Sequence, residues 1–511
     1  MCPAPVKQCE MDAMKGREAA IEGFSWGALA GVVLVALMYG AGWLLGLKPL
    51  TQALNEPLLA VMPGFIFGFL IDTLQHAGKV VEEIGLVVAM VVALGLLGAA
   101  WSWTALRWRF QYSALVFALA GWAIVSVVLL PIAGMGFLGL NAGPTTPVIW
   151  AALFAVYGVV LQLGGRPSAT EGTDLQRRRL LGAIPLGIGA ASLGLLGVLR
   201  VPGWYQAVAS PAEAGLTGPS PEITPVANFY VVSKNFSDPR VDGGTWRLNI
   251  GGLVDKPQRI SLSDLQARPS TTEYATLECI SNDVGGGLMS TGSFTGVRLK
   301  DLIATASPSP GATWVGFQAV DGYAESLPLN VVDGEPSILV AYALNGSPLP
   351  SSHGYPARMI IPGRYGMKGP KWLTSINLVD HESGGFWEAQ GWDHNAFVRT
   401  TARFDVPREG DSIRHGVVPL AGVAFAGTRG IGRVEYSTDG GQTWIAASFK
   451  APLSELTWVL WTADWTPAGE GGFTLKVRAT DGSGALQDAT SRMSYPAGAT
   501  GYHTIRVDVS K

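Results

Sequence analysis

The chain has 511 residues, 48% of them hydrophobic and 15% charged, with a net charge of −3, which makes it too long for a single ordinary domain. That balance, with no basic strip, zinc finger or stacking motif, excludes a nucleic-acid surface. Three cysteines (Cys2, Cys9 and Cys279) and six histidines give no disulfide framework, no covalent haem motif and no paired axial ligands in the apolar runs, so no haem is expected.

Residues 1–23 carry Lys7, Lys15 and Arg17 and lack the short apolar core and cleavage site of a secretory signal, which predicts a polar cytoplasmic tail. Phe24 to Leu47 runs without a charge and is long enough to cross the hydrocarbon core of a membrane. Leu58 to Leu74 is interrupted by Pro63, Gly64 and Asp72, so an interfacial or re-entrant helix is expected there rather than a span. Further uncharged runs, Ile84 to Leu106, Ser113 to Ala133, Pro147 to Leu163 and Leu180 to Leu199, bring the total to five spans across residues 24–200.

The loop charges decide orientation. With five spans and the N-terminus inside, the inner segments hold Lys7, Lys15, Arg17, Arg107, Arg109, Arg166 and Arg177 to Arg179, and the outer loops only Lys48 and Lys79. A sixth span would put Arg107 and Arg109 outside, against the positive-inside rule. Five spans place everything after Arg200 outside the cytoplasm, in a multi-pass cell-membrane protein. Arg177-Arg178-Arg179 ahead of a glycine-diluted apolar run also looks like an internal twin-arginine export signal, with a plain positive-inside anchor as the alternative. Nothing polar beyond Ser, Thr and Gln162 is set into the spans, so they read mainly as an anchor with no ion pathway.

Residues 201–225, rich in Pro, Gly, Ala and Ser, read as a linker. From 226 to about 400 the pattern is mixed α+β. From about 401 to 511 it becomes short strands separated by turns such as Asp439-Gly-Gly-Gln442, which predicts an all-β sandwich of immunoglobulin type.

Within the soluble half, Cys279 follows the β-like run Glu273 to Leu277 and leads into Ser281-Asn282 and Gly285 to Gly287. A glycine-rich loop lets the backbone approach a large anionic group closely. The residues alone leave two readings open, a buried free thiol in a turn or a thiolate that anchors a bound group.

Cys-x-Ser-Asn followed by Ser290-Thr-Gly-x-Phe-Thr-Gly-Val-x-Leu299 resembles the molybdenum-binding segment of the sulfite oxidase family. Matching blocks recur at Asp321 to Pro328, at His353 to Arg358 and at Pro362 to Trp372, then in the sandwich at Gly427 to Val434 and Asp439 to Trp444. The resemblance implies an α-helical membrane domain joined to an α+β molybdopterin-binding domain and an immunoglobulin-like dimerisation domain. It implies that Cys279 ligates molybdenum, and that Tyr230, Ser281, Asn282, Asp321, His353, Arg358, Lys368, Gly369, Pro370 and Lys371 hold molybdopterin. A phosphate tail and a pterin edge require cationic and bidentate donors with glycine backbone close by. Oxygen-atom transfer coupled to two electrons would then require a small-molecule substrate and a separate electron-transfer protein or quinone-linked partner.

The family's anion pocket is only partly matched. Val232 and Val284 fall at two of its arginines, Phe294 at its tryptophan and Trp392 at its tyrosine. Arg429, reaching in from the sandwich, is the cation left to act beside Trp392, with Lys234 or Arg364 as substitutes. That departure makes sulfite doubtful as substrate. The segment Arg364 to Lys371 and the Asn228-Phe-Tyr230 block also resemble the related periplasmic methionine-sulfoxide reductase, which lacks the sandwich. A membrane-anchored binding or scaffold module on a degenerate oxidoreductase fold is the non-enzymatic alternative.

Overall fold

The computed structural model describes residues 6–62, 77–105, 113–164, 218–235 and 238–511, with isolated positions at 66, 70 and within 191–197. The expected fifth span, Arg177 to Arg179, most of the 58–74 run and most of the linker lie outside the described residues. The chain divides into two units, one formed by residues 1–62 and 76–208 and the other largely by residues 209–511.

Four helices of the first unit are long and apolar enough to cross a membrane: Gly16–Leu45, Val80–Ala105, Ser113–Ile132 and Thr146–Gly164. The first lies in α1 (Val6–Leu45), which carries helix back through the polar segment expected as a tail. The second lies in α2 (Ala77–Ala105). Helices α1 and α2 touch through small residues. A Cβ on Gly98 would stand 2.4 Å from the Gly23 carbonyl, and one on Gly27 would stand 2.7 Å from the Leu94 carbonyl. In lipid no hydrophobic effect joins helices, so close backbone approach and dispersion must. Trp101 Nε1 donates to Ser113 Oγ at 2.8 Å, and the Tyr157 hydroxyl to the Leu94 carbonyl at 2.7 Å.

One expectation is corrected in this unit. Because α2 begins seven residues before Ile84, where the apolar run starts, its membrane-length stretch takes in Glu82 and Glu83. Glu83 is fully buried and accepts from the Tyr39 hydroxyl at 2.8 Å; that hydroxyl also lies 2.8 Å from Thr51 Oγ1. The spans therefore do contain an ionisable group, which Tyr39 makes tolerable by hydrogen bonding.

The second unit holds the cofactor domain and the sandwich. A five-stranded sheet runs in the order Gln258–Ser261, Arg247–Gly252, Leu373–Val379, Trp314–Ala319, Ala324–Pro328. Another is built on Thr271–Glu278, Met289–Arg298 and Leu339–Leu344, with Arg358–Ile360 pairing to the last of these. Leu248, Ile250, Phe317, Leu373, Ile376 and Met359 fill the core between them. Thr271–Glu278 and Met289–Arg298 pair antiparallel with Glu278 opposite Met289, so residues 279–288 form the loop joining them.

The sandwich packs a four-stranded sheet on a five-stranded one around Phe404, Trp461, Leu475 and Val507. Its last strand, His503–Ser510, buries Ile505, Val507 and Val509 alternately, as a strand with one face on the core must. The order of long apolar helices, mixed α+β domain and β-sandwich is the expected one.

Gly98→Leu is expected to part α1 from α2, at a cost of about 1–3 kcal/mol or more from overpacking. Gly85→Leu on the same helix, where a Cβ would meet nothing within 4 Å, is expected to leave stability unchanged or slightly raised. Thermal unfolding of both variants in detergent checks the pair.

Candidate functional site

Strand pairing sets Cys279 at the mouth of the 279–288 loop. Its backbone N–H donates to the Leu288 carbonyl at 3.0 Å, its carbonyl accepts from the Asn282 N–H at 3.0 Å, and its Sγ lies 3.1 Å from Ser281 Oγ. Asn282 is buried and closes the loop: its Nδ2 donates to Glu278 Oε1 at 2.9 Å and its Oδ1 accepts from the Leu288 N–H at 2.9 Å. A Cβ on Gly286 would lie 2.6 Å from that Oδ1, so this position needs glycine. Burial pushes the Cys279 thiol up, against the lowering effect of Ser281. It also raises the Glu278 carboxyl to about 7, with Asn282 and Arg403 opposing.

Tyr230 lies beside the thiol and Arg358 beside Tyr230, with His353 next to Arg358. Tyr230 is anchored by its N–H to Ser290 Oγ at 3.0 Å, and its phenol is pushed well up by burial and then by the neighbouring Cys279, with Arg358 opposing. Phe229 stacks on Tyr230 and meets the His353 ring edge-on at 5.4 Å between centroids. The His353 imidazole is held neutral, its pKa lowered to about 3 by burial and by the cations Arg358 and Lys371. The Arg358 guanidinium is 7% exposed and reaches only two carbonyls, of Met359 and His353, each at 3.4 Å. Among the described residues no carboxylate pairs with it. Burial lowers its pKa to about 10.

The Gly369-Pro370-Lys371 segment joins the same neighbourhood. The Pro370 carbonyl accepts from the Met359 N–H at 2.9 Å, and Lys371 Nζ donates to the Ser352 carbonyl at 2.9 Å. A Cβ on Gly366 would stand 2.8 Å from the Tyr230 hydroxyl. A cavity of about 290 Å³ opens beside His353, lined by Val226, Phe229, Val231, Pro350 and Ser352.

Other expected residues are engaged elsewhere. Lys368 is 2% exposed, and its ammonium is salt-bridged to Glu325 at 2.5 Å and to Glu388. Arg429 Nε donates to Asp481 Oδ2 at 2.8 Å, while its Nη2 donates to the Val398 carbonyl and Thr400 Oγ1, each at 3.1 Å. Asp321 takes Asn235 Nδ2 at 2.8 Å and the Tyr323 N–H at 3.1 Å. Phe294 is fully buried edge-on to Phe229. Trp392 is 3% exposed against Tyr495, and its indole N–H has no partner among the described residues. Arg364 donates to the Asn395 carbonyl at 2.5 Å and lies 4.4 Å over the Phe397 ring.

The sandwich braces the loop from behind. Arg403 Nη1 donates to the Gly286 carbonyl at 2.6 Å and its Nε to Asp405 at 2.9 Å. Trp458 N–H donates to Thr276 Oγ1 at 2.8 Å. Gly285, at φ +81°, leaves room for the His503 ring, which a Cβ would approach to 2.3 Å. Sequence reasoning did not find Glu278, Arg403 or His503, because their roles arise from contacts across the chain.

The donor set fits molybdopterin. No cluster of three or more His, Cys, Asp or Glu able to hold a metal occurs among the described residues. A single thiol suits a metal whose other ligands arrive on an organic group, and a coordinating metal deprotonates a thiol that burial alone would keep neutral. The unpaired Arg358 and the backbone-facing glycines suit that group's phosphate.

Fold and site thus define a molybdopterin-binding oxidoreductase. The family "Oxidoreductase molybdopterin binding domain" matches residues 235–387. Sulfite oxidase of Arabidopsis thaliana is 30% identical over 290 residues, covering 47% of this chain and 73% of that protein. Mitochondrial sulfite oxidase of Homo sapiens is 30% identical over 317 residues, and the chain spans 58% of that protein's length. The chain belongs to the sulfite oxidase family. The crystal structure of the sulfane dehydrogenase SoxCD from Paracoccus pantotrophus shares the fold at a TM-score of 0.50 and 23% identity, over 59% of this chain and 86% of that one.

His503 generates a pH prediction. Its Nδ1 accepts from the Phe404 N–H at 3.0 Å, and burial first, then Arg403, lower its pKa to about 4. The unfolded chain binds that proton near pH 6.5, so the stability contributed by His503 should fall as pH drops from about 6.5 to 4. His503→Asn keeps an acceptor without the titration, and is expected to remove on the order of 2 kcal/mol of that loss in acid-unfolding curves.

Proposed function

We propose that this is a membrane-anchored molybdenum enzyme that transfers an oxygen atom, with two electrons, to or from a small neutral or weakly charged substrate in the extracytoplasmic space. The observation that carries the substrate class is the fate of Arg429: its guanidinium is committed to Asp481, Val398 and Thr400. Val232 and Val284 bring no charge of their own to the positions they hold. When bound, the molybdenum centre supplies the oxygen-atom exchange and the two-electron change. Cys279 would hold the metal, and Arg358, His353, Lys371 and the Gly369-Pro370 backbone would hold the organic group, with Tyr230, Ser281 and Asn282 shaping the loop. Trp392, with a buried and unpartnered N–H, is the donor best suited to an oxygen on a neutral substrate.

Membrane anchoring rests on the four apolar helices, and orientation on the bias of Lys and Arg toward the inner loops. With no haem motif in the chain, electrons would pass to a separate electron-transfer protein or quinone-linked partner. The sandwich is the surface through which a homodimer would form, as the resemblance implies.

Two measurements test this reading. Cys279→Ser should abolish molybdenum retention and its paramagnetic signal in the purified protein; an unchanged metal content overturns it. Steady-state kinetics address the substrate: two missing cations, each a charge-assisted bond of about 1.5–3 kcal/mol, weaken sulfite binding by about two to four powers of ten. A micromolar KM for sulfite with ordinary turnover would refute the neutral-substrate reading and favour a sulfite dehydrogenase using Arg364. Millimolar weakness beside good turnover of dimethyl sulfoxide supports it.

A further inference from the structure

Apart from the thiol loop, the cofactor domain buries a second group of ionisable side chains. Glu325, on strand Ala324–Pro328, is 0% exposed; Lys368, in the turn Gly366–Lys368, is 2% exposed; and Glu388, in the turn Glu388–Gln390, is 7% exposed. Lys368 Nζ bonds Glu325 Oε2 at 2.5 Å and Glu388 Oε1 as well. The other two oxygens, Glu325 Oε1 and Glu388 Oε2, have no partner among the described residues. Both face the same point above Gly385, lying 2.8 Å and 1.4 Å from where a Cβ on that glycine would stand, which puts the two oxygens no more than the sum of those distances, about 4.2 Å, apart.

Charge decides what occupies that gap. Two carboxylates and one ammonium leave a net negative charge in a site closed to water, which is costly. One proton between the facing oxygens makes the group neutral and satisfies both orphan acceptors at once.

We propose that Glu325 and Glu388 share one proton across Gly385 and that, closed by Lys368, the pair is a pH-sensitive clamp holding the segment that carries Trp392 onto the turn that leads into Gly369-Pro370-Lys371. The three residues come from three separate elements, and two of those elements run directly into the site. Glu388 is four residues before Trp392, whose backbone N–H donates to the Trp387 carbonyl at 3.2 Å. The turn ending at Lys368 lies against Tyr230 at Gly366. Loss of the proton to solvent leaves the buried negative charge uncompensated and opens the clamp.

The titratable groups around the pair agree with this assignment. Burial first, and then Glu388, push the Glu325 carboxyl well above the usual carboxylate range, although Lys368 opposes them. Tyr323, at the head of the same strand, is raised by burial and then by Glu325 and Glu388, and its hydroxyl donates to the Met367 carbonyl at 2.5 Å. Arg364 is lowered by burial, with Glu325 among the carboxylates opposing that. These residues are positioning residues: they touch the supports of the site and not the reacting atoms.

The clamp rests on the proposed function only for the use made of Trp392. Its test therefore needs no turnover and can fail independently. Glu325→Gln imitates the protonated partner permanently and removes the titration. In the full-length protein, hydrogen exchange of the 385–396 backbone is expected to match wild type at about pH 6 and to be at least ~10-fold slower than wild type at about pH 10, each pH unit of unmatched protonation being about a factor of ten. The raised carboxyl also means that the folded state binds the proton more tightly than the unfolded one, so the stability contributed by this pair falls as pH rises from about 4.5 through neutrality, opposite in sign to the His503 contribution, and Glu325→Gln should remove that component of the slope. Equal exchange at both pH values, or a difference spread over the whole chain, overturns the proposal. Should the variant fail to fold, infrared titration of carboxyl-labelled protein in a Glu278→Gln background reads the same proton directly. A carboxylic acid band persisting at about pH 7 supports it, and complete ionisation there overturns it.

Discussion

The site depends on one side chain that joins both ends of a loop. Asn282 donates to Glu278, the last residue of one strand, and accepts from Leu288, just before the next. A ten-residue excursion between paired strands is thereby closed by two buried hydrogen bonds, each costing about 1–3 kcal/mol if one partner is left unmatched. The closure also fixes the electrostatics of Cys279. Burial first, and Glu278 beside it, push the thiol up and favour its protonated form. Only a cation bound to the sulfur reverses that, which makes the loop selective for a metal centre over adventitious thiol chemistry.

A loop of that kind is rigid only if something holds its outer side, and the sandwich does so. Arg403 caps the Gly286 carbonyl, the His503 ring fills the space that Gly285 leaves, and the 454–458 turn bonds along strand Thr271–Glu278 through Thr276. The immunoglobulin-like sandwich is thus part of the site's outer support. Asp405, paired to Arg403 at 2.9 Å, also takes the Ser220 N–H at 2.8 Å, so the segment entering the cofactor domain is tied to the same support.

What could be read from the sequence was local. Cys279 stood out as a lone thiol before a glycine run, and the spans stood out because uninterrupted apolar runs need no tertiary information. His353, Arg358 and Lys371 fell in short blocks whose spacing the fold preserves. Pairings across long stretches of chain left no such signal. Glu325, Lys368 and Glu388 lie on three elements, and nothing in their neighbours marks them as partners. Lys368 looked like a cofactor ligand because it precedes Gly369-Pro370-Lys371, yet its turn points it at two carboxylates. Glu83 was missed for a related reason: the helix outruns the apolar stretch, and Tyr39, far off in sequence, supplies its hydrogen bond.

The contrast between Arg358 and Arg429 supplies a physical rule for telling binding cations from structural ones. Both lie in blocks that match the family, Arg358 buried and Arg429 with 34% of its side chain exposed. Arg429 has already met its charge in Asp481, whose carboxyl is held at about 2 although burial opposes it, so a further anion would have to compete with an ion pair in place. Arg358 has met none among the described residues and has only two distant carbonyls. A buried guanidinium without a counter-charge is expensive, and its cost is recovered when an anion arrives with a bound group. On the proposed function, the unneutralised cation is the one available to a bound group's charge, and the neutralised one is already committed to Asp481.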